Sequence, residues 1–282
     1  MINPESFDPL EEPSVDDLSP ADIDAEFNGV DESLKDIDDE MTHHVEKLRN
    51  PLSTILRKLG PKIDSGTYST IIVDDASGRI PGIMMREILN DIYAEHNIPP
   101  VITRFIAGST VFANMDNHDR KEALVKAQML RIKRDAGKRS PEIGEALIVT
   151  DTIASGDSVS MLLSGIRSLD WSADIATIAA INPATIGRLA ETWNNEVVYG
   201  TVHVPSIYQM TRASGMKKDS AELHARPAYT NPEIREKART NINEQERIQD
   251  GLRSMRAART AARRIAKEIA EEYLKSSRRG KR

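Results

Sequence analysis

EALIVTDTIASGDSV, residues 145–159, decides how the rest of the chain is read. Residues 146–149 form an unbroken apolar run of the length and composition of a strand buried on both faces. The run ends at Asp151, passes through a small-residue turn and continues as SVSMLL, residues 158–163, whose pattern predicts a helix. A strand, a tight turn and a helix in that order make an anion site. The amides of 154–158 converge on the turn, the helix dipole favours negative charge there, and Gly156 lets a ligand approach the backbone. Ser155 and Ser158 add hydroxyl donors, and Asp151, at the carboxyl end of the strand, is positioned to accept from a sugar hydroxyl. A buried strand running into a capped helix, with no ligand, is the competing interpretation of the same residues.

A second unit of this kind lies upstream. YSTIIV, residues 68–73, reads as a strand, DDASGRIPG, 74–82, as the turn after it, and Pro81 opens an apolar-periodic helix through Met84, Ile88 and Ile92. Further strands are predicted at 100–106, 173–181 and 196–202, with a helix over 183–193. About five strands alternating with helices predict an α/β fold, a doubly wound and mainly parallel sheet covered on both faces. Ligands of such sheets sit beyond the carboxyl ends of the strands, where both glycine turns lie.

In residues 146–158 four apolar residues precede an acidic position, two mostly apolar residues, a small residue, Ser-Gly and a further Ser. This order resembles the phosphoribosyl pyrophosphate (PRPP) motif of type I phosphoribosyltransferases, and the 76–79 turn resembles the pyrophosphate loop of that family. The resemblance implies a phosphoribosyltransferase-like domain over 46–228. It also implies a PRPP site made of Thr150, Asp151, Ala154, Ser155, Gly156, Asp157 and Ser158 around ribose 5-phosphate, and of Ser77, Gly78 and Arg79 at pyrophosphate. Asp151 and Arg79 are the expected catalytic residues. Mg²⁺ is the expected cofactor, met through water by Asp74 or Asp75. The family also implies backbone strain at 76–79 and a mobile flap over 111–141, with Lys133, Arg134, Lys138 and Arg139 as the cations that would meet pyrophosphate.

Two departures stand out. The family pairs two adjacent acids at the ribose, whereas here the first position is Thr150. Asp157 lies inside the phosphate cradle, where a carboxylate about 4 Å from a phosphate costs on the order of 1 kcal/mol in water-like dielectric, unless it points outward at the helix start. Ala154 stands where the hypoxanthine-guanine branch carries an acid, which is similar to the adenine and uracil branches. The implied activity is transfer of phosphoribosyl from PRPP to a nitrogen acceptor with release of pyrophosphate, a glycosyltransferase reaction of nucleotide metabolism. The alternative is a catalytically weak regulator that senses PRPP or a nucleotide and binds nucleic acid or a protein through its C-terminal helix. G-x-x-x-x-G-K-[S/T] and G-x-G-x-x-G are both absent, which argues against P-loop and Rossmann readings.

Composition sets the frame. With 282 residues and 39% hydrophobic content the chain supports one sizeable core plus extensions. There is no cysteine, hence no disulfide framework and no thiol nucleophile, and no apolar run suits a membrane span or signal peptide, so a cytoplasmic protein is expected. The net charge of −6 hides an acidic start and a basic end. Residues 1–45, with Pro4, Pro9, Pro13 and Pro20 and Lys35 as the lone lysine of the first 40, read as a disordered acidic tail. His43 and His44 read as a solvated helix start. Val45, Leu48, Leu52, Ile55 and Leu59, interrupted by Pro51, predict one kinked helix or two short ones. Trp171, Tyr199 and Tyr208 read as packing in preference to base stacking. Residues 229–282 read as a basic helical extension with an apolar face at Leu252, Met255, Ala258, Ala261, Ala262, Ile265 and Ile269. That helix suits docking on its own domain, a homodimer contact or, less favoured because of Glu268, Glu271 and Glu272, nucleic acid.

Overall fold

The computed structural model describes residues 34–74, 78–106, 115–139, 144–153, 155–202, 216–217, 226–227 and 241–280. The chain forms two units, Met1–Asp36 and Ile37–Arg282, and everything below concerns the second. Helices α1 (Leu34–Glu46) and α2 (Arg49–Asp64) lead into β1 (Tyr68–Asp74), α3 (Arg79–Glu95), β2 (Ile102–Ile106), α4 (Met115–Arg139) and β3 (Glu145–Ile153). Then come α5 (Asp157–Arg167), β4 (Ala173–Ala180), α6 (Pro183–Trp193), β5 (Val197–Thr201), the short pair β6 (Met216–Lys217) and β7 (Arg226–Pro227), and α7 (Ile242–Gly280).

The five long strands form one sheet in the order β2-β1-β3-β4-β5, parallel at every step. This doubly wound order reverses direction between β1 and β3. Burial on both faces explains why the central strands show unbroken apolar runs instead of alternation. Ile71, Val73, Leu147 and Val149 face a layer built from α2, α3 and α7, whereas Ile72, Ala146, Ile148 and Ile175 face α4, α5 and α6.

The interruption at Pro51 resolves into two helices, with the proline in the first turn of α2, where its missing amide costs little. His44 departs from expectation. It is 7% exposed, because its neighbour Val45 and the following Leu48 turn this end of α1 into the core. The C-terminal helix docks on the domain: Ala257, Ala258, Ala261, Ala262, Ile265, Ala266, Ile269 and Ala270 are buried in the α2–α3 layer. Small side chains let the helices approach closely, and polar ties fix the register. Arg49 bridges to Glu268 at 2.5 Å, the Tyr273 hydroxyl donates to Asp64 Oδ1 at 3.0 Å, and Arg278 meets Glu95 at 2.5 Å.

At the amino edge of the sheet Lys62 Nζ lies 2.7 Å from Asp174 and 3.1 Å from Glu145, and the Tyr68 hydroxyl donates to Asp174 Oδ2 at 2.6 Å. Burial, reinforced by Asp174, pushes the Tyr68 phenol well up. For Lys62 burial acts downward, but hydrogen bonds to Asp174 and Glu145 together outweigh it, and its pKa is raised. Both folded values lie above their unfolded ones, so the stability these groups supply is present below about pH 10 and lost as pH rises through the folded values. Tyr68→Phe is expected to cost about 1.5 kcal/mol at pH 7, or about 3–6 °C, and to flatten the fall in stability above about pH 10. Thermal midpoints measured from pH 7 to pH 11.5 check this; parallel wild-type and variant curves would contradict it.

Candidate functional site

The site is built where the winding reverses. Val73 on β1 aligns with Val149 on β3, so the two neighbouring strands run out at the same carboxyl edge, β1 at Asp74 and β3 three residues past Thr150 at Ile153. A Cβ added at Gly78 would lie 2.4 Å from the Asp74 carbonyl oxygen and 3.3 Å from that of Val149, so the start of α3 sits against the backbone of β3.

Both helices that begin at this point have a glycine N-cap without a side-chain cap, Gly78 for α3 and Gly156 for α5. At α6, by contrast, the Asn182 side chain accepts from the Ala184 amide at 3.0 Å. Two glycine-started helices at the carboxyl edge of adjacent strands give that edge two sets of first-turn amides and two positive dipole ends. Gly156 is required twice over. Its φ of +89° lies in the left-handed region, and an added Cβ would meet the Trp193 ring at 2.9 Å and Leu189 at 3.0 Å. Trp193 is held against α5 by a hydrogen bond from its indole nitrogen to Ser160 Oγ at 3.1 Å. Trp193, Leu189 and Ser160 thus shape the turn. Nothing local in the sequence signals the first two, which reach it from the next crossover.

β3 continues past Asp151 to Ile153, and α3 begins at Arg79, two residues before Pro81. Asp151 is half-buried and Thr150 fully buried; the Thr150 hydroxyl lies 3.4 Å from Asp151 Oδ1. Thr177, buried on β4, places its hydroxyl 3.3 Å from the Asp151 carbonyl oxygen and 3.0 Å from that of Ala179, and donates its one proton to one of them. Asp157 points outward at the start of α5, where its carboxylate accepts from Ser155 Oγ at 2.9 Å, and both side chains are exposed. Ser158 is half-buried in the same first turn. Asp74 is 6% exposed. Arg79 is 3% exposed, with its guanidinium 4.4 Å from the centre of the Phe105 ring on β2. Gly78 has ordinary helical dihedrals, φ −71° and ψ −6°, so the expected strain is absent at that residue. Asp75, Ala76, Ser77 and Ala154 lie outside the described residues, as does Tyr208.

The flap expectation is corrected over 115–139. That stretch is the docked helix α4, whose Val125, Met129, Ile132 and Ala136 are buried at helical spacing in the cluster shared with α5. Because α4 ends where β3 begins, its last turns lie at the amino edge. Lys133 there donates to the Leu169 carbonyl oxygen, and Lys138 lies 3.2 Å from Asp135. Lys133, Arg134 and Lys138 therefore lie at the edge opposite the glycine turns, and the side chain of Arg139 lies outside the described residues. Residues 107–114 and 140–143 lie outside the described residues. Trp171 also belongs to the amino edge, where its indole donates to the Gly144 carbonyl oxygen at 2.8 Å beside an open polar cleft of about 480 Å³. Tyr199 lies under Lys58, whose Nζ is 4.1 Å from the ring centre.

No protein-family model, curated protein or solved structure matches the chain. Among the described residues no helix is long and apolar enough to cross a membrane.

The exposed carboxylate of Asp157 opposes any anion at this turn and occupies the hydroxyl of Ser155. Asp157→Asn is expected to tighten binding of a phosphate probe at this turn about fivefold, on the order of 1 kcal/mol. Titration calorimetry at low salt measures it, and equal or weaker binding by the variant would contradict it.

Proposed function

We propose that the chain binds PRPP with Mg²⁺ at the β1–β3 boundary and transfers its phosphoribosyl group to a nitrogen acceptor, releasing pyrophosphate. The observation that carries this reading is the pair of uncapped, glycine-started helices at adjacent strand ends. A single site for one phosphate needs one such turn; a sugar phosphorylated at both ends accounts for two. In the reaction the acceptor nitrogen forms a bond to C1 of the ribose as the C1–oxygen bond breaks, the electron pair leaves with pyrophosphate, and the nitrogen gives up a proton. The ribose carbon gains cationic character, so the chain's task is positioning and meeting the charge that develops on the leaving group.

In this scheme the α5 amides and Ser158 take the 5′-phosphate and Asp151 accepts from a ribose hydroxyl. The amides at the start of α3 meet the pyrophosphate. Arg79, stacked beneath on Phe105, supplies a buried positive charge to that turn. The donor set at this edge suits Mg²⁺. Among the described residues no three His, Cys, Asp or Glu side chains are grouped to hold a metal, yet Asp74 at the end of β1 offers a hard oxygen to a hydrated ion, and Mg²⁺ takes one or two carboxylates with its remaining ligands from water and phosphate. When bound, the ion neutralises pyrophosphate and aids its departure. Ile181 and Val202, 47% and 45% exposed just past β4 and β5, offer apolar surface to a flat acceptor ring.

The test is pyrophosphate release from PRPP and Mg²⁺ over a panel of bases and amines, with release expected for one acceptor class. Thr150, a buried hydroxyl where a second ribose acid is expected, favours a second reading: a PRPP- or nucleotide-binding regulator with little turnover. Binding without release under every acceptor supports that reading. No binding and no release would sink both.

A further inference from the structure

The exposed face of α7 is unexplained by the site. Residues 251–282 carry eleven Lys and Arg against three Glu in a chain of net charge −6, a marked local excess of positive charge. No acid occurs between Asp250 and Glu268. With the alanine face buried in the core, Arg253, Arg256, Arg263, Arg264 and Lys267 stand on the exposed side. They run from 253 to 267, 14 steps of the helix or about 21 Å at helical rise. The three glutamates that follow are taken up locally, Glu268 by Arg49 and Arg264, Glu272 by Arg49, and Glu271 by Lys275.

We propose that this stripe is a docking surface for double-stranded nucleic acid, held through its backbone phosphates without base recognition. A duplex presents a negative charge about every 1.7 Å along its axis, so a 21 Å basic stripe meets several phosphates at once. A single strand is the poorer match, because such sites stack bases on aromatic rings. The one aromatic residue of α7, Tyr273, is turned toward Asp64. Arg253 and Arg256 also make contacts within the chain. The surface therefore leans on Arg263, Arg264 and Lys267. Arg264 is 53% exposed, and exposed pairs such as Arg264–Glu268 contribute only about 0–1 kcal/mol and yield to a phosphate. Docked by its alanine face, the helix lies along the backbone and does not enter a groove, which is why no sequence preference is expected.

The experiment uses the full chain and a fluorescent 20-base-pair duplex of arbitrary sequence, with binding followed by anisotropy as salt is raised. With about three phosphates engaged, log K should fall against log salt with a slope of about −2.7, so affinity drops about 40-fold from 50 to 200 mM. Arg263→Ala, Arg264→Ala and Lys267→Ala should each reduce the slope by about 1, with unchanged thermal midpoints. Lys126→Ala, an exposed lysine on α4, should leave it as it was. The proposal is overturned by absence of duplex binding at 50 mM salt, by a slope that the three α7 variants do not move, or by equal binding to polyglutamate, which would make an acidic polypeptide the partner.

Discussion

Gly156→Val is expected to abolish binding of PRPP and to lower the thermal midpoint by about 8–12 °C. At φ +89° a β-branched residue bears a left-handed penalty of about 1–2 kcal/mol, and its Cβ would start 2.9 Å from the Trp193 ring and 3.0 Å from Leu189. Moving those side chains adds a further overpacking cost of about 1–3 kcal/mol. Together the two reach about 4 kcal/mol, which for a unit of this size is the stated shift. The binding effect is separate. With the turn displaced, the first amides of α5 no longer converge, and part of the turn's donor set is lost. Trp193→Ala distinguishes the two: it opens space for the new side chain and should restore part of the stability while leaving the backbone penalty and the binding defect. A Gly156→Val chain that melts like the wild type would show that the turn is not held as described.

The second large effect belongs to Asp151. In the proposed site it is the acid assigned to the ribose, with the Thr150 hydroxyl 3.4 Å from its carboxylate and Thr177 beside its carbonyl. Asp151→Ala removes a charge-assisted acceptor worth about 1.5–3 kcal/mol, so PRPP affinity should fall about 10- to 150-fold. Pyrophosphate, which has no ribose, should bind as before. Restoring the missing acid with Thr150→Asp probes the same place from the other side. The position is fully buried, so the new carboxylate is destabilising in the free chain, and any gain should appear only when PRPP and Mg²⁺ are present. Equal loss of PRPP and pyrophosphate in Asp151→Ala would mean that the residue supports the edge generally and does not read the sugar.

Much of this arrangement is legible in the chain before any coordinates. Residues 146–149 and 71–73 are apolar at every step, as in a strand covered on both sides, and Gly156 and Gly78 mark the turns because other residues fit there poorly. Strand and helix bounds move by two residues or so, as with β3 running on to Ile153 and α3 starting at Arg79. What is not legible is contact at a distance. Trp193 and Leu189 close the Gly156 turn from more than thirty residues away, and no local pattern announces it. The α4 stretch shows the limit of family likeness, which implies a flap. The spacing of Val125, Met129, Ile132 and Ala136 instead gives the helix a face to bury, and burial decides. Likewise the alanine face of α7 is too weakly apolar to choose between docking and solvent until the facing residues of α2 and α3 are known.

One ligand touching both turns distinguishes this site from a simple anion site, and calorimetry separates the two. PRPP, ribose 5-phosphate and pyrophosphate are each titrated into the chain with Mg²⁺. If one molecule spans the two turns, PRPP should bind about 10²-fold more tightly than the better of its two halves, since joining them makes the second contact intramolecular. PRPP binding no more tightly than ribose 5-phosphate or pyrophosphate alone would contradict the account.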